Sequence, residues 1–190
     1  MLKKLSLLFL SLALAAGTLC AQSQDYKRWF ADAGLGLNAM YDNGKVLSSF
    51  GSALATGFRI SPEFAVRLQI QAGVGRHAPG DWFTPGNDFR GAAAIDVMMD
   101  PVNLIFYPKT DSFYHAMPYL RIQETFGFAS GAKAATLGFG AGMRQSFRLN
   151  DALDVVWGMN AILSGENTWK AVAGGLLVFG QMTVGVAYNF

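Results

Sequence analysis

The sequence predicts an all-β fold, an eight-stranded antiparallel up-and-down transmembrane β-barrel, and three observations support it. Hydrophobic residues make up 52% of the chain and charged residues only 15%, which is an oily balance for a water-soluble domain. Beyond the N-terminus, no apolar run approaches the roughly 20 residues that a membrane-spanning helix needs. Apolar residues instead alternate with small or polar ones, as they do when one face of a strand meets lipid and the other a lumen.

The N-terminus, residues 1–21, has the pattern of a secretory signal peptide that is removed. Two lysines precede an apolar core at residues 5–16. We expect cleavage after Ala21, which leaves residues 22–190 as the barrel domain. Cys20 leaves lipidation open as an alternative, although its neighbours fit a lipoprotein signal poorly.

The charge balance excludes a nucleic-acid partner. Removing the signal takes away two lysines and leaves 13 Lys+Arg against 13 Asp+Glu, so the mature chain is neutral and carries no basic footprint. It also retains no cysteine, which excludes a disulfide framework and thiolate chemistry.

The first four strands are predicted from the alternation of apolar residues with small or polar ones. The first, Phe30–Tyr41, sets leucines and alanines against glycines and polar residues, and an Asp-Asn-Gly-Lys turn signal follows it. The second is Phe50–Ile60. The third, Phe64–Gly75, alternates along its whole length and is the clearest of the set. The fourth is Phe89–Met99, with branched apolar residues on one face.

The last four strands continue the pattern. The fifth is Tyr114–Phe128, the sixth Ala135–Leu149 and the seventh Leu153–Leu163. The eighth, Leu176–Phe190, alternates strictly from Met182 onward and ends on an aromatic residue. Glu124 breaks the pattern of the fifth strand, because its parity aims a carboxylate at lipid. We therefore expect a β-bulge there or a position near the rim.

The connections fit a consistent topology. An even number of strands places both termini on the periplasmic side, together with the short turns at residues 61–63 and 150–151. The longer loops at residues 76–88 and 164–170 then lie outside the cell. The connection Asp100–Phe113 is an exception, because it is long and periplasmic.

The inferred lumen is rich in charge, and eight strands leave an interior just wide enough for side chains. We favour a salt-bridged plug over an open channel, because buried charges are tolerated only when they are paired. The predicted lumen charge network consists of Asp32, Arg59, Arg67, Arg90, Asp96, Arg121, Arg144, Arg148 and Asp154.

One loop carries the candidate partner-binding residues. Trp82 and Phe83 are flanked by Pro-Gly pairs on an outer loop, and two exposed aromatics would anchor a protein partner. The alternative is that both rings fold onto the rim and join its aromatic belt.

Catalytic, cofactor and metal sites are not expected. Acyl transfer needs a nucleophile and a base within hydrogen-bond reach. His77 and His115 are placed at opposite ends of the barrel, and neither forms the His-x-Ser pattern of the lipid A deacylases. No glycine pair precedes a helix, so no nucleotide cofactor is expected, and no cluster has metal-ligand spacing.

Two stretches carry a family resemblance. One is the region of Asp96-Val-Met98, Asn103-Leu104, Tyr107 and Pro118-Tyr119, and the other is the terminal Tyr188-Asn-Phe190. With these residues the chain resembles the small OmpA-like outer-membrane barrels of the Bacteroidetes type, as a barrel without the periplasmic peptidoglycan-binding domain.

The resemblance implies a place in the outer membrane of a Gram-negative bacterium, with outer-membrane lipid around the wall. It implies insertion by the barrel-assembly machinery, for which Tyr188 and Phe190 resemble the signal. It also implies a structural, adhesive or partner-binding role toward an extracellular or envelope protein. A narrow passive channel and a lipid A acyl hydrolase or transferase are the alternatives.

Overall fold

The computed structural model describes residues 28–42, 45–75, 88–106, 112–127, 136–165 and 176–190. These residues form eight strands and one short helix, and the fold class agrees with the sequence prediction. In chain order the elements are β1 (Trp29–Asp42), β2 (Lys45–Arg59), β3 (Phe64–Gly75), β4 (Asp88–Met99), α1 (Pro101–Phe106), β5 (Tyr114–Gly127), β6 (Thr136–Arg148), β7 (Leu153–Gly165) and β8 (Leu176–Asn189).

The strands close into a barrel. Each strand pairs antiparallel with its sequence neighbours, and β1 also pairs with β8. Trp29 and Phe190 exchange backbone hydrogen bonds of 3.2 and 3.0 Å at the end of this seam. Closure pairs the backbone groups that an open sheet would leave along an edge. Both described ends of the chain therefore meet at one end of the barrel, which we call the base.

The outer wall is apolar along its middle. On β4, Val97 is 57% exposed, whereas its neighbour Asp96 is 0% exposed, so successive residues face opposite environments. Exposed apolar side chains on the other strands include Leu35, Leu37, Leu54, Leu68, Ile70, Leu120, Ile122, Phe139, Leu163, Met182, Val184 and Val186. A continuous apolar surface of this extent is unfavourable in water and matches the hydrocarbon of a bilayer.

In the part of the chain that the structure describes, no helix is both long and apolar enough to cross a bilayer. The single described helix, α1, has 6 residues and lies at the base. It begins because Oδ1 of Asp100 accepts the amides of Val102 and Asn103 at 3.0 and 3.2 Å. Pro101 occupies the first helical position, where a missing N–H costs nothing. From the sequence, this segment was predicted only as a long connection.

Strand boundaries agree with the predicted ones to within about two residues, except that β2 begins at Lys45 and not at Phe50. At Glu124 the structure shows the second of the two expected arrangements, a position near the rim. The pairing of β5 with β4 and β6 runs without a bulge through Glu124, which is opposite Ala93 and Leu137. Glu124 is exposed on the outer face, three positions before the end of β5 at Gly127. A bulge is therefore unnecessary, because a carboxylate so close to the strand end lies near the rim, where its cost is small.

Candidate functional site

Asp96 lies at the centre of the lumen, with its carboxylate between two arginines. The register places Arg67 of β3 and Arg121 of β5 directly opposite it on the neighbouring strands. Arg67 donates to Oδ2 from Nε at 2.8 Å, with Nη2 2.7 Å away. Arg121 donates from Nε to Oδ1 at 2.6 Å and from Nη2 to Oδ2 at 2.9 Å. One carboxylate therefore ties three adjacent strands together.

Asp32 extends this network across the lumen. Arg144 of β6 donates to Asp32 of β1 through two parallel bonds, from Nη2 to Oδ1 at 2.9 Å and from Nε to Oδ2 at 3.1 Å. Arg67 reaches the same carboxylate from Nη1 at 3.3 Å. Paired bonds of this kind are the stronger form of an arginine–carboxylate contact. We call Asp32, Arg67, Asp96, Arg121 and Arg144 the ionic plug.

Tyr119 packs against the ionic plug. The guanidinium carbons of Arg67 and Arg121 lie 5.0 and 5.2 Å from its ring centroid, within cation–π range. The ring occupies the space above Gly142, its cross-strand neighbour on β6. A Cβ at Gly142 would stand 2.5 Å from Cζ of the tyrosine, so only glycine leaves room for the ring.

Phe30 forms an equivalent layer nearer the base. Its ring is buried and lies beneath the guanidinium carbons of Arg59 and Arg144, at 5.2 and 5.0 Å. It covers Gly57, where a Cβ would come within 2.1 Å of the ring. The two aromatic layers fill space that short aspartates leave open between the arginines.

A layer of side-chain amides lies on the other side of the ionic plug. Oε1 of Gln181 accepts Nδ2 of Asn160 at 2.8 Å, Nε2 of Gln71 at 2.9 Å and Nη1 of Arg121 at 3.3 Å. Arg121 also donates to Gln69 from Nη2. The amides complete the hydrogen bonding of a buried guanidinium, which is the condition for keeping it charged.

The lumen near the base holds the remaining described charges. Nη2 of Arg59 donates to Oδ1 of Asn189 at 3.0 Å, and Nδ2 of Asn189 donates to Oδ2 of Asp154 at 3.1 Å. Arg148 is opposite Asp154 in the strand register. The side-chain amide of Asn189 therefore bridges the guanidinium of Arg59 and the carboxylate of Asp154.

Not every predicted site residue is described to the same extent. The structure brings together Asp32, Arg59, Arg67, Asp96, Arg121, Arg144 and Asp154, and it places Arg148 beside Asp154. For Arg90 only the strand pairing is described. Trp82, Phe83 and His77 lie outside the described residues.

Sequence reasoning did not single out the aromatic and amide side chains as partners of the lumen charges. Phe30 is two positions before Asp32 on β1, so the alternation of the strand places its side chain on the same inward face. The alternation of the eighth strand likewise places Gln181 on the inward face. Parity identifies such residues as inward, but their partners depend on register across the lumen, which a single sequence does not contain.

A cavity of about 30 Å³ lies beside the ionic plug, lined by Asp32, Arg67, Arg144 and by residues of β1, β2, β3, β7 and β8 that are mostly small. That volume holds about one or two water molecules. Chemically, the ionic plug is a barrier of paired charges across the lumen, whereas Oδ1 of Asp154 and Oδ1 of Asn160 are buried without a hydrogen-bond partner among the described residues. Within the described residues, no three side chains among His, Cys, Asp and Glu are grouped to hold a metal ion.

A second polar cluster lies at the base. Nδ1 of His115 lies 2.9 Å from Oδ2 of Asp100, and Nδ2 of Asn103 donates to the same oxygen at 3.3 Å. Burial alone raises the pKa of the Asp100 carboxyl, but the His115 contact and the backbone amides of Asn103 and Val102 together lower it below its ordinary value. Asp100 therefore joins the end of β4, the start of α1 and the start of β5.

Three solved structures of outer-membrane proteins are similar in fold to this chain. Neisserial surface protein A superposes with a TM-score of 0.61 at 14% identity, covering 85% of this chain and 97% of that one. OprG of Pseudomonas aeruginosa has a TM-score of 0.55 at 10% identity, covering 88% of this chain and 98% of that one. Ail, the attachment invasion locus protein of Yersinia pestis, has a TM-score of 0.55 at 10% identity, covering 87% and 99%.

This is the fold of small outer-membrane barrels. Together with the apolar outer wall, it confirms the predicted fold class and the predicted location in an outer membrane. No protein-family model matches the sequence. No curated protein matches it at a significant level.

The candidate assembly residues lie at the base, which is periplasmic in an outer-membrane barrel of this topology. Tyr188 and Phe190 are exposed on the outer face, and their rings stack with centroids 5.8 Å apart. Their use as a signal for the barrel-assembly machinery stays a prediction.

Proposed function

We propose that the protein is a closed outer-membrane barrel with a structural and partner-binding role, and that it does not work as a pore. The observation that carries this proposal is the ionic plug, in which every guanidinium and carboxylate of the lumen centre has a partner. Ions crossing the lumen would have to displace buried pairs, and breaking such a pair leaves a costly unpaired charge.

The partner-binding part of the proposal rests on the outer loops. A barrel with a closed lumen meets other molecules through its ends and its wall. Trp82 and Phe83 are the aromatic anchors that the sequence offers on the outer side. The resemblance to OmpA-like barrels of the Bacteroidetes type supports an adhesive or envelope-protein partner, and Ail, an attachment invasion locus protein, has the same fold.

We assign the barrel no catalytic role. His115 lies at the base and is engaged with Asp100, 2.9 Å away. Oγ of Ser61 donates to Glu63 at 2.6 Å in a turn, where it stabilises the local chain. Neither pair combines a nucleophile with a histidine base, which hydrolysis or transfer of an acyl chain requires.

Partner capture tests the binding role. Tagged protein is purified in mild detergent from native outer membranes beside a Trp82→Ala, Phe83→Ala variant. A Trp157→Phe variant, altered on the wall, serves as the matched control. We expect a partner that co-purifies with the wild type and the control but is lost from the loop variant. Equal recovery with all three proteins would contradict binding through these aromatics.

Single-channel recording separates the proposal from its alternative, a narrow passive channel. Because the ionic plug occupies the lumen, folded wild-type protein in a planar bilayer should give no resolved current steps. Reproducible steps from protein that shows the heat-dependent gel shift of a folded barrel would favour the channel.

A further inference from the structure

The helix α1 presents an apolar surface at the base. Its side chains Val102, Leu104 and Ile105 are 39%, 52% and 68% exposed, and Phe113, just before β5, is 67% exposed. Neither the first nor the last turn of α1 carries a charged residue. Four large exposed apolar side chains at one end of the barrel are unusual at a surface that faces only water. We call Val102, Leu104, Ile105 and Phe113 the base patch.

The opposite side of α1 is fixed to the barrel. Nδ2 of Asn103 donates to the backbone oxygen of Pro62 in the β2–β3 turn at 3.0 Å. The amide of Asp100 donates to the oxygen of Glu63 at 2.6 Å, and the Asp100 carboxylate meets His115. These bonds attach α1 to the turn and to β5. The exposure of the base patch is thus built into the fold.

The base patch continues the apolar wall. The ring of Phe113 lies 6.1 Å from that of Phe147 on β6, and the ring of Tyr114 lies 5.0 Å from the same phenylalanine. Tyr114 and Phe64 are exposed on the outer face at the starts of their strands. Aromatic residues at strand ends are typical of the girdle where a barrel wall meets the lipid headgroups.

We infer that α1 is an interfacial anchor, whose base patch is embedded at the headgroup boundary of the periplasmic leaflet. An uncharged surface of aliphatic and aromatic side chains fits this boundary. A lipid surface covers the base patch and the adjoining wall as one interface. A soluble partner protein could cover the base patch but not the adjoining wall, because the wall lies within the bilayer. The occupant we assign is therefore membrane lipid.

Spin labelling tests this assignment, and the chain suits it because Cys20 is its only cysteine. Mature protein, expressed from residue 22 and reconstituted into phosphatidylcholine vesicles, carries one nitroxide at Ile105→Cys. Val97→Cys is the lipid-facing reference and Asp151→Cys the turn reference in water. Accessibility to oxygen and to a water-soluble nickel chelate is measured for each by power saturation.

The label at position 105 should favour oxygen over the chelate, with a ratio nearer that of Val97→Cys than that of Asp151→Cys. A second label at Leu104→Cys should do the same, so the result does not depend on one substitution. Chelate accessibility equal to that of Asp151→Cys at both positions would overturn the anchor and leave the base patch facing the periplasm.

The attachment of α1 has its own readout. Adding Asn103→Ala removes the bond to Pro62, and it should increase the mobility of the Ile105→Cys nitroxide while the Val97→Cys spectrum stays unchanged. Unchanged mobility at both positions would contradict the claim that the barrel holds the base patch in place. Neither outcome depends on whether the lumen conducts.

Discussion

The two faces of one strand obey different rules. On β4, Asp96 and Val97 are consecutive residues, yet one is fully buried among arginines and the other is on the apolar wall. The inward residue is constrained by partners on two other strands, at 2.6 to 2.9 Å. The outward residue needs only to be apolar, because lipid tails solvate one aliphatic side chain as well as another.

This difference indicates where specificity resides in the barrel. The wall determines that the chain inserts in a membrane, and many apolar sequences satisfy it. The lumen requires particular side chains at particular heights, because each unpaired charge there is expensive. Substitutions on the two faces should therefore differ sharply in effect, even at neighbouring positions.

The largest effect is expected at Asp96. Asp96→Ala leaves Arg67 and Arg121 buried without their shared carboxylate, and it should lower the free energy of unfolding by about 3–5 kcal/mol. Val97→Ala, its neighbour on the wall, should cost well under about 1 kcal/mol in a bilayer, because the lost methyl groups are replaced by lipid contacts. Urea unfolding in lipid vesicles, followed by tryptophan fluorescence, measures both. Similar losses for the two variants would refute the contrast.

A smaller effect is expected from a glycine pair. Gly142→Ala adds a methyl group in the space of the Tyr119 ring, and overpacking of this kind should cost about 1–3 kcal/mol. Gly180 lies on the outer face, where a Cβ would have its nearest neighbour at 4.0 Å, so Gly180→Ala is the control and should cost little. Unfolding curves recorded under identical conditions compare the two. A more damaging Gly180→Ala would reverse the ordering.

The smallest effect is a pH dependence at the base. Because the folded-state pKa of Asp100 is lowered, its ionised form stabilises the fold above the ordinary carboxyl pKa of about 4, and this is lost as pH falls through the folded value. Asp100→Asn should therefore be less stable than the wild type at pH 6, and the gap should narrow toward pH 2. Unfolding at a series of pH values measures the gap. A gap that is constant with pH would contradict an ionised Asp100.

The sequence predicted the eight strands, and the inward face of the charges whose side chains the structure describes, because both depend on local alternation. The pairing register between strands does not depend on local alternation. Asp32 and Arg144 are 112 positions apart, and their contact across the lumen follows from how the strands are staggered around the barrel. Tyr119 and Gly142 illustrate the same limit, since each is ordinary in its own strand and informative only as a pair.

The base shows a limit of a different kind. Asp100-Pro101 is a helix-start signal, an N-cap residue followed by proline at the first helical position. The signal was present in the sequence, but a helix of one and a half turns produces no periodicity to support it. The attachment of α1 to the barrel depends on the bond between Asn103 and Pro62, which are distant in sequence and meet only after the barrel closes.

Conductance tests the central claim, that the ionic plug closes the lumen. Wild-type protein is recorded in planar bilayers beside a variant that combines Asp96→Ala, Tyr119→Ala and Arg121→Ala, with the heat-dependent gel shift confirming that each is folded. We predict no current steps from the wild type and resolved steps from the variant. Equal steps from both proteins would contradict a closed lumen, and the wild-type recording alone decides the claim if the variant does not fold.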